Sequence, residues 1–217
     1  MAEKKKVSSV VIRRLPRYYR YLGDLLSNGI NRISSKELSE LMNVTASQIR
    51  QDLNCFGGFG QQGYGYNVEY LYNEISDLLG IHKGRTMVIV GAGNLGMSIA
   101  GYANFQKRGF SLIGLFDHNP DLYGVKVRDV EIRPVEELEE FLTENSVDIA
   151  VFTMPKESVH EVLPTVKDKV KGIWNFSHKE IPQENGLSVE NVHLSDSLMT
   201  LSCKIGRAEL EEKLKNK

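Results

Sequence analysis

The sequence predicts an α/β protein in two parts, and two observations support this fold class. Between residues 15 and 80, short helical patterns surround a glycine-rich stretch at 57–65. From Thr86 onward, short β-branched runs alternate with amphipathic segments, which is typical of strand–helix–strand units in a mostly parallel sheet. The predicted strands cover residues 86–90, 111–116, 147–152, 172–175 and 189–194, and a last amphipathic helix runs from about residue 199 to the end.

Composition and charge limit the class of protein. The 217 residues are 41% hydrophobic and 25% charged, values that exclude wholesale disorder. The formal net charge is −1, but the first fifty residues carry ten basic and four acidic side chains, which gives +6 there and −7 on the remainder. A basic end on an acidic body indicates a region that binds a polyanion.

The sequence also indicates a location. No stretch approaches the ~20 apolar residues of a membrane span, and residues 1–6 lead into no apolar core of a signal peptide. The two cysteines, Cys55 and Cys203, form no Cys-x-x-Cys pair and no zinc pattern. We therefore expect reduced thiols, no metal site, no membrane association and a cytoplasmic protein.

Residues 34–54 predict a helix-turn-helix. A first helix begins at the cap residue Ser34, the pattern breaks at residues 43–44, and Thr45 starts a second helix with a capping-box sequence that Gln48 completes. The apolar residues of the second helix recur at helical spacing and are expected to face the core: Ala46, Ile49 and Leu53. Its opposite face carries side chains that can hydrogen-bond to base edges: Ser47, Arg50, Gln51 and Asn54.

Residues 56–66 predict a β-hairpin with a glycine-rich tip, which would make the domain a winged helix. Polar-faced capped helices also occur in many domains that bind no DNA. A basic first helix favours DNA, because phosphate neutralisation supplies most non-specific affinity; its arginines are Arg13, Arg14, Arg17 and Arg20. The predicted DNA-contacting residues are Arg14, Ser47, Gln48, Arg50, Gln51, Asn54, Gln61, Gln62 and Tyr64.

The first predicted strand of the second part runs directly into a Gly-x-Gly-x-x-Gly sequence formed by Gly91, Gly93 and Gly96, and residues 97–100 open a helix. Such glycines permit a tight turn, close approach of a pyrophosphate and packing of helix on strand, while the helix N-terminal amides hold the phosphate charge. This context predicts a Rossmann-type doubly wound parallel sheet that binds a dinucleotide.

Asp117 indicates which dinucleotide. It ends the second predicted strand, about 20 residues after the last glycine, where an acid accepts the adenosine ribose hydroxyls. Because no Arg or Lys follows within residues 118–121, nothing there favours a 2′-phosphate. NAD(H) is therefore favoured over NADP(H).

Two other functions stay open on the residues alone. An NAD-dependent oxidoreductase with an accessory N-terminal domain would need an acid–base group beside the nicotinamide, and the five histidines lack a recognisable catalytic setting. Similar glycine-turn domains bind coenzyme A, although its ribose 3′-phosphate would be repelled by Asp117. A cofactor fold with no evident substrate site favours a protein that is not an enzyme and uses the dinucleotide as a signal.

The combination resembles the Rex family of redox-sensing transcriptional repressors over nearly the whole chain. The resemblance rests on segments at residues 14–18, 48–53, 56–57, 63–68, 91–96, 116–117 and 172–176. It implies a homodimer that binds a palindromic operator and represses anaerobic or fermentative genes in a bacterium, with NADH weakening operator binding and NAD+ competing for the same site. It also implies a C-terminal helix exchanged between subunits. The expected domains are 1–80, 81–195 and 196–217, with a linker at residues 82–85.

The resemblance further implies the roles of particular residues. The cofactor contacts would be Gly91, Ala92, Gly93, Asn94, Leu95, Gly96, Tyr102, Asp117, Thr153, Met154, Pro155, Asn175 and Phe176. Arg20 and Tyr102 match a contact network that reports the cofactor state to the DNA-binding domain. Where the family often carries an aspartate in that network, this chain has His193, with Asp196 as the nearest acid. Whether an arginine–aspartate switch pair forms in this chain is therefore left open.

The predicted wing tip also departs from the family. Relatives tend to place Lys or Arg there, where this chain has Gln61 and Gln62. We therefore expect this wing to gain less from phosphates and more from hydrogen bonds in the minor groove.

Overall fold

The chain is described by a computed structural model over residues 8–55, 60–61, 65–184 and 186–215, with the backbone alone at 60–61. It divides into two compact units, residues 1–83 and 84–217. Within the described residues, no helix combines the length and the apolar character that a membrane crossing needs.

The first unit combines helices with a small antiparallel sheet. The helices are α1 (Ser9–Ile12), α2 (Leu15–Ser27), α3 (Ser35–Met42), α4 (Ala46–Asn54) and α5 (Val68–Leu79). The strands are β1 (Arg32–Ile33), β2 (Gly60–Gln61) and β3 (Gly65–Asn67), in the order β1-β3-β2. The predicted helix-turn-helix is α3 and α4, and the predicted wing is the β2–β3 pair. Strand β1 had no sequence signal, because two residues are too few for a pattern.

Local capping explains where α3 and α4 begin. Ser34 and Glu37 form a full capping box at α3. At α4 the Thr45 hydroxyl accepts the backbone N–H of Gln48 at 3.1 Å, but the Gln48 side chain donates to Asp52 instead of returning to Thr45. The capping box predicted there is therefore only half formed.

Apolar faces of α2 to α5 pack into one core, whose fully buried members include Tyr18, Leu22, Leu38, Met42, Ile49, Leu53, Leu71 and Ile75. Ala46, predicted to face the core, is only partly buried. The predicted basic first helix is also partly wrong. Arg13 is the C-cap residue after α1 and Arg14 directly precedes α2, because the helical run is interrupted there and resumes at Leu15 with Pro16 in its first turn.

The second unit is a seven-stranded sheet with helices around it. The strands are β4 (Arg85–Val90), β5 (Phe110–Asp117), β6 (Lys126–Val127), β7 (Val130–Pro134), β8 (Ile149–Phe152), β9 (Gly172–Asn175) and β10 (Ser188–Asn191). The helices are α6 (Asn94–Ala100), α7 (Asn104–Lys107), α8 (Leu138–Glu144), α9 (Val159–Val166) and α10 (Leu194–Lys215). Short 3-10 turns lie at Ile81–Lys83, Pro120–Leu122 and Val135–Glu137.

The strand order is β10-β9-β8-β4-β5-β7-β6, and every pairing except β6–β7 is parallel. Without the short edge strand β6, this is the doubly wound Rossmann order. Successive strands are added on one side of β4 as far as β7 and on its other side from β8 onward, so the strand order reverses between β4 and β8. Separate apolar clusters cover the two faces of the sheet. The predicted parallel α/β class is therefore confirmed, and the ligand site of such a sheet lies at the carboxyl ends of β4 and β8.

Several predicted boundaries differ from the structure. The strand predicted at 189–194 ends at Asn191, because α10 begins at Leu194, five residues before its predicted start. The helix predicted at residue 97 begins at Asn94, directly after the glycine turn. The strand predicted from Val147 begins at Ile149.

A cluster of charged side chains lies at the amino ends of β4, β8 and β9. The Asp148 carboxylate accepts hydrogen bonds from Lys171 at 2.6 Å, from Arg85 at 3.0 Å and from the backbone N–H of Thr86 at 3.1 Å. Burial alone would raise the pKa of Asp148, but these partners outweigh it and hold the pKa of the carboxyl below its usual value.

We expect Asp148→Asn to lower the free energy of unfolding by about 1–3 kcal/mol at pH 7, because two cations lose their partner. A carboxyl whose pKa is lowered in the folded state stabilises above its unfolded pKa and loses that contribution as the pH falls through the folded pKa. The difference between the two proteins should therefore shrink from pH 6 towards pH 3 in urea unfolding. Glu139→Gln is the matched control: it breaks the exposed pair with Lys169 and should cost less than about 1 kcal/mol. Equal effects of the two substitutions would contradict the assignment.

Candidate functional site

The three glycines of the turn between β4 and α6 differ in the space that is available for a side chain. Gly91 has φ +103°, and a Cβ there would lie 2.8 Å from the Met154 nitrogen. A Cβ on Gly96 would lie 1.9 Å from the Gly91 oxygen. A Cβ on Gly93 would meet no atom within 4 Å. The fold therefore requires Gly91 and Gly96, whereas Gly93 leaves open space at the N-terminus of α6.

That space belongs to a cavity of about 650 Å³ at the carboxyl ends of β4, β5, β8 and β9, which we term the carboxyl-end cavity. Its lining residues are Gly91, Gly93, Leu95, Asp117, His118, Asn119, Pro120, Leu122, Thr153, Met154, Pro155, Phe176, Ser177 and His178. It is an open, mixed polar and apolar cleft, large enough for an extended ligand, and it lies where doubly wound sheets bind theirs.

Asp117 joins the glycine turn to the end of β5. One carboxylate oxygen accepts the backbone N–H of Ala92, and the other accepts that of Asn119 at 2.8 Å. The His118 Nδ1 lies 3.4 Å from the second oxygen. Since each carboxylate oxygen can accept two hydrogen bonds, the Asp117 carboxylate can shape the turn and still accept ligand hydroxyls.

The opposite wall comes from the loops after β8 and β9. The Thr153 hydroxyl donates to the Gly91 oxygen at 2.6 Å and so braces the turn. Asn175 is fully buried. Its amide donates to the Lys179 oxygen and to Asn191, both at 2.7 Å, while its oxygen accepts from Ser177. The Asn175 side chain thus holds the loop that presents Phe176.

The structure brings together eight of the predicted cofactor residues on the cavity wall: Gly91, Gly93, Leu95, Asp117, Thr153, Met154, Pro155 and Phe176. Ala92 lies in the glycine turn, Asn94 and Gly96 lie in the first turn of α6, and Asn175 ends β9, but none of these four residues lines the cavity. The wall residues that sequence reasoning missed are His118, Asn119, Pro120, Leu122, Ser177 and His178. Their nearness to Asp117 and Phe176 in sequence was the available signal.

Tyr102 lies apart from this cavity. It follows the end of α6 instead of lying on that helix, the residue is 47% exposed, and it borders a smaller cavity with Phe105, Phe110 and Arg128. A cofactor contact by Tyr102 therefore stays a prediction.

The other residues of the predicted switch, His193, Asp196 and Arg20, do not line the carboxyl-end cavity. His193 Nε2 lies 2.7 Å from a carboxylate oxygen of Glu180, and its ring stacks on that of His178 with centroids 6.2 Å apart. Asp196 is exposed in the first turn of α10. Arg20 is exposed on α2, with its guanidinium 5.6 Å from the Tyr21 ring centre.

The first unit presents the predicted DNA-reading face. On α4 the side chains of Ser47, Arg50, Gln51 and Asn54 are exposed. Arg50 donates to the Ser35 hydroxyl at 3.1 Å, which holds it at the start of α3. Gln48 and Arg14 instead turn towards the buried Asp52. Gln62, Tyr64 and the side chain of Gln61 lie outside the described residues.

The fold and the two sites define a class: a regulator in which a winged helix-turn-helix is joined to a dinucleotide-type Rossmann sheet. Residues 6–54 match the family model of a putative DNA-binding protein N-terminus, and residues 82–179 match that of a CoA binding domain. The chain is 54% identical to the redox-sensing transcriptional repressor Rex of Thermoanaerobacter pseudethanolicus over 216 residues, which cover 99% of this chain and 96% of that protein. It is 56% identical, with the same coverage, to the Rex of Caldanaerobacter subterraneus subsp. tengcongensis.

The chain is also similar to solved structures of RSP, a Rex-family repressor. RSP in complex with beta-NAD+ and operator DNA matches with a TM-score of 0.88 at 53% identity, over 97% of this chain and 98% of that chain. RSP in complex with beta-NADH matches with a TM-score of 0.88 at 50% identity, over 96% and 99%. The chain belongs to the Rex family of redox-sensing transcriptional repressors.

Proposed function

We propose that this protein represses transcription in the bacterial cytoplasm by binding a palindromic operator as a homodimer, and that NADH lowers its operator affinity. The observation that carries this proposal is the carboxyl-end cavity, with Gly93 open and Asp117 on its wall, in the same chain as the exposed polar face of α4. The relatives solved with beta-NAD+, beta-NADH and operator DNA support the same ligands here.

The residues of the cavity fit a dinucleotide. The open space at Gly93 allows a pyrophosphate to approach the backbone amides at the start of α6, where the helix dipole favours negative charge. Asp117 would accept ribose hydroxyls, and the resemblance places the nicotinamide near Phe176. The reduced and oxidised rings differ in charge and planarity, so the residues around the ring can favour one state of the dimer. Closure of the dimer would then change the spacing of the two α4 helices, which must match half-sites ~34–36 Å apart or a multiple of that distance.

The homodimer is supported by α10. None of its residues is buried within one chain, although it carries many large apolar side chains. Leu194, Leu198, Leu201 and Ile205 follow a 4-3-4 spacing and form one stripe, whereas Leu210 and Leu214 project from roughly the opposite side at 3.6 residues per turn. Helix α10 is therefore apolar on two sides instead of one. A helix of this kind is stable when it lies between two surfaces, which supports exchange of α10 between subunits.

Fluorescence anisotropy tests the proposal. The labelled operator duplex of the 53%-identical relative is bound by the purified protein at fixed salt and titrated with NADH, NAD+ and coenzyme A in separate series. We expect NADH to weaken operator binding about 5- to 150-fold, the usual range of allosteric coupling, and NAD+ to leave it nearly unchanged.

Other outcomes would identify the alternatives. Release by coenzyme A alone would favour the ligand named in the second family model and would contradict the assignment of Asp117. Absence of operator binding, together with a steady absorbance change at 340 nm on a hydroxy acid, would favour an oxidoreductase.

A further inference from the structure

A buried carboxylate lies directly beneath the polar face of α4. The side chain of Asp52 is 1% exposed, because it points away from the exposed face of α4, the helix that is proposed to read DNA. Its partners come from the same helix and from the start of α2. Arg14 donates from Nε and from Nη2, each at 2.7 Å; the Tyr18 hydroxyl donates at 2.9 Å; and the Gln48 amide donates at 2.8 Å.

These donors satisfy the carboxylate completely. Oδ1 accepts from Arg14 and Gln48, and Oδ2 accepts from Arg14 and Tyr18, so each oxygen receives two hydrogen bonds. Burial alone would raise the pKa of Asp52, but the hydrogen bonds from Arg14, Gln48 and Tyr18 outweigh it and lower the pKa of the carboxyl. Asp52 is therefore ionised at neutral pH and forms a buried, bidentate pair with Arg14.

The network joins two elements that are far apart in sequence. Asp52 lies in the last turn of α4, whereas Arg14 directly precedes α2 and Tyr18 lies in its first turn. A buried ion pair contributes little net stability compared with apolar packing, and its best-attested role is to select one arrangement of the elements that it joins. The apolar contacts of Ile49 and Leu53 would allow α4 to rotate or slide slightly, but the three directional hydrogen bonds from Arg14 and Tyr18 would not.

The geometry points to Asp52, Arg14 and Tyr18 as positioning residues that fix the orientation of α4 for operator recognition. This inference rests on the proposed function. It also changes the role predicted for Arg14: two of its three guanidinium nitrogens face Asp52, so Arg14 acts on the operator through Asp52 and not as a phosphate contact. Tyr18 is fully buried and cannot touch DNA in this fold.

Charge-conserving substitutions separate the two roles of Arg14. Arg14→Lys keeps the positive charge that a phosphate contact needs but loses the planar fork that pairs with Asp52. Tyr18→Phe removes one buried hydrogen bond and no charge. In anisotropy titrations on the operator of the 53%-identical relative and on a scrambled duplex of equal length, we expect each variant to lose about tenfold or more in operator affinity. Affinity for the scrambled duplex and the slope of log affinity against log salt should stay unchanged.

Arg13→Lys is the matched control, because Arg13 is exposed and adjacent, and it should bind both duplexes like the unmodified protein. If Arg14→Lys does not fold, which a thermal melt reports, Tyr18→Phe decides the question. The inference is overturned if the folded variants bind the operator as the unmodified protein does, or if operator and scrambled affinities fall together, as they would in a merely destabilised domain. An unmodified protein that binds no operator would overturn the proposed function itself.

Discussion

Gly93→Ala should abolish the response of operator binding to NADH while leaving operator binding itself intact. The backbone at Gly93 has φ −68° and ψ −172°, which alanine adopts without strain. The added methyl would meet no protein atom within 4 Å and would project into the carboxyl-end cavity. It would occupy the space in which a pyrophosphate approaches the turn. We expect NADH affinity to fall at least about tenfold, or ~1.4 kcal/mol.

Two neighbouring glycines make this test specific. Gly101→Ala is the control, since Gly101 has helical backbone angles at the far end of α6 and does not line the cavity; its NADH response should be normal. Gly96→Ala should instead destabilise the whole unit, because its methyl would lie 1.9 Å from the Gly91 oxygen. Titration followed by NADH fluorescence measures NADH affinity, and anisotropy on the operator measures how operator binding responds to NADH. Normal NADH affinity in folded Gly93→Ala would show that the cofactor phosphates bind elsewhere.

The cavity could be located from sequence because its central parts are local or lie on neighbouring strands. β4, the glycine turn and α6 are contiguous, and Asp117 ends the strand that pairs with β4. On the opposite wall, residues 153–155 and Phe176 were indicated by the family resemblance, whereas His118 and His178 belong to no motif and were missed. Their place on the wall depends on loops after separate strands meeting at one edge. Helix α6 ends at Ala100, directly before Gly101, a residue type that commonly ends helices, so Tyr102 lies outside α6.

The DNA-reading unit shows a different limit of sequence reasoning. Caps and apolar spacing are local, so α3, α4 and the wing could be predicted. The partner of Asp52 lies 38 residues away, and no local pattern distinguishes an arginine that contacts phosphate from one that pairs with a buried acid. Charge counting assigned Arg14 to DNA for that reason, whereas burial of its partner supports a positioning role.

The largest loss of operator binding should come from the C-terminal helix, which makes no contact with DNA in the proposed function. The double substitution Leu201→Glu and Ile205→Glu places two charges on the stripe of α10 that is more than half exposed in a single chain. If that stripe is buried between subunits, the charges must be desolvated without partners, which costs several kcal/mol. The dimer should therefore dissociate into monomers that stay folded, because no side chain of α10 contributes to the core of its own chain.

A monomer would bind one half-site without the gain of simultaneous engagement, which is worth about 10²- to 10⁴-fold. Sedimentation velocity at micromolar protein should give the mass of a monomer. Anisotropy should show that affinity for the full operator has fallen to a value near that for an isolated half-site. Glu209→Gln with Glu212→Gln, which alters charge on the same exposed helix, is the control and should remain dimeric. A stable dimer of the Leu201 and Ile205 variant would place the subunit interface elsewhere. In that case the apolar stripe of α10 would need another occupant.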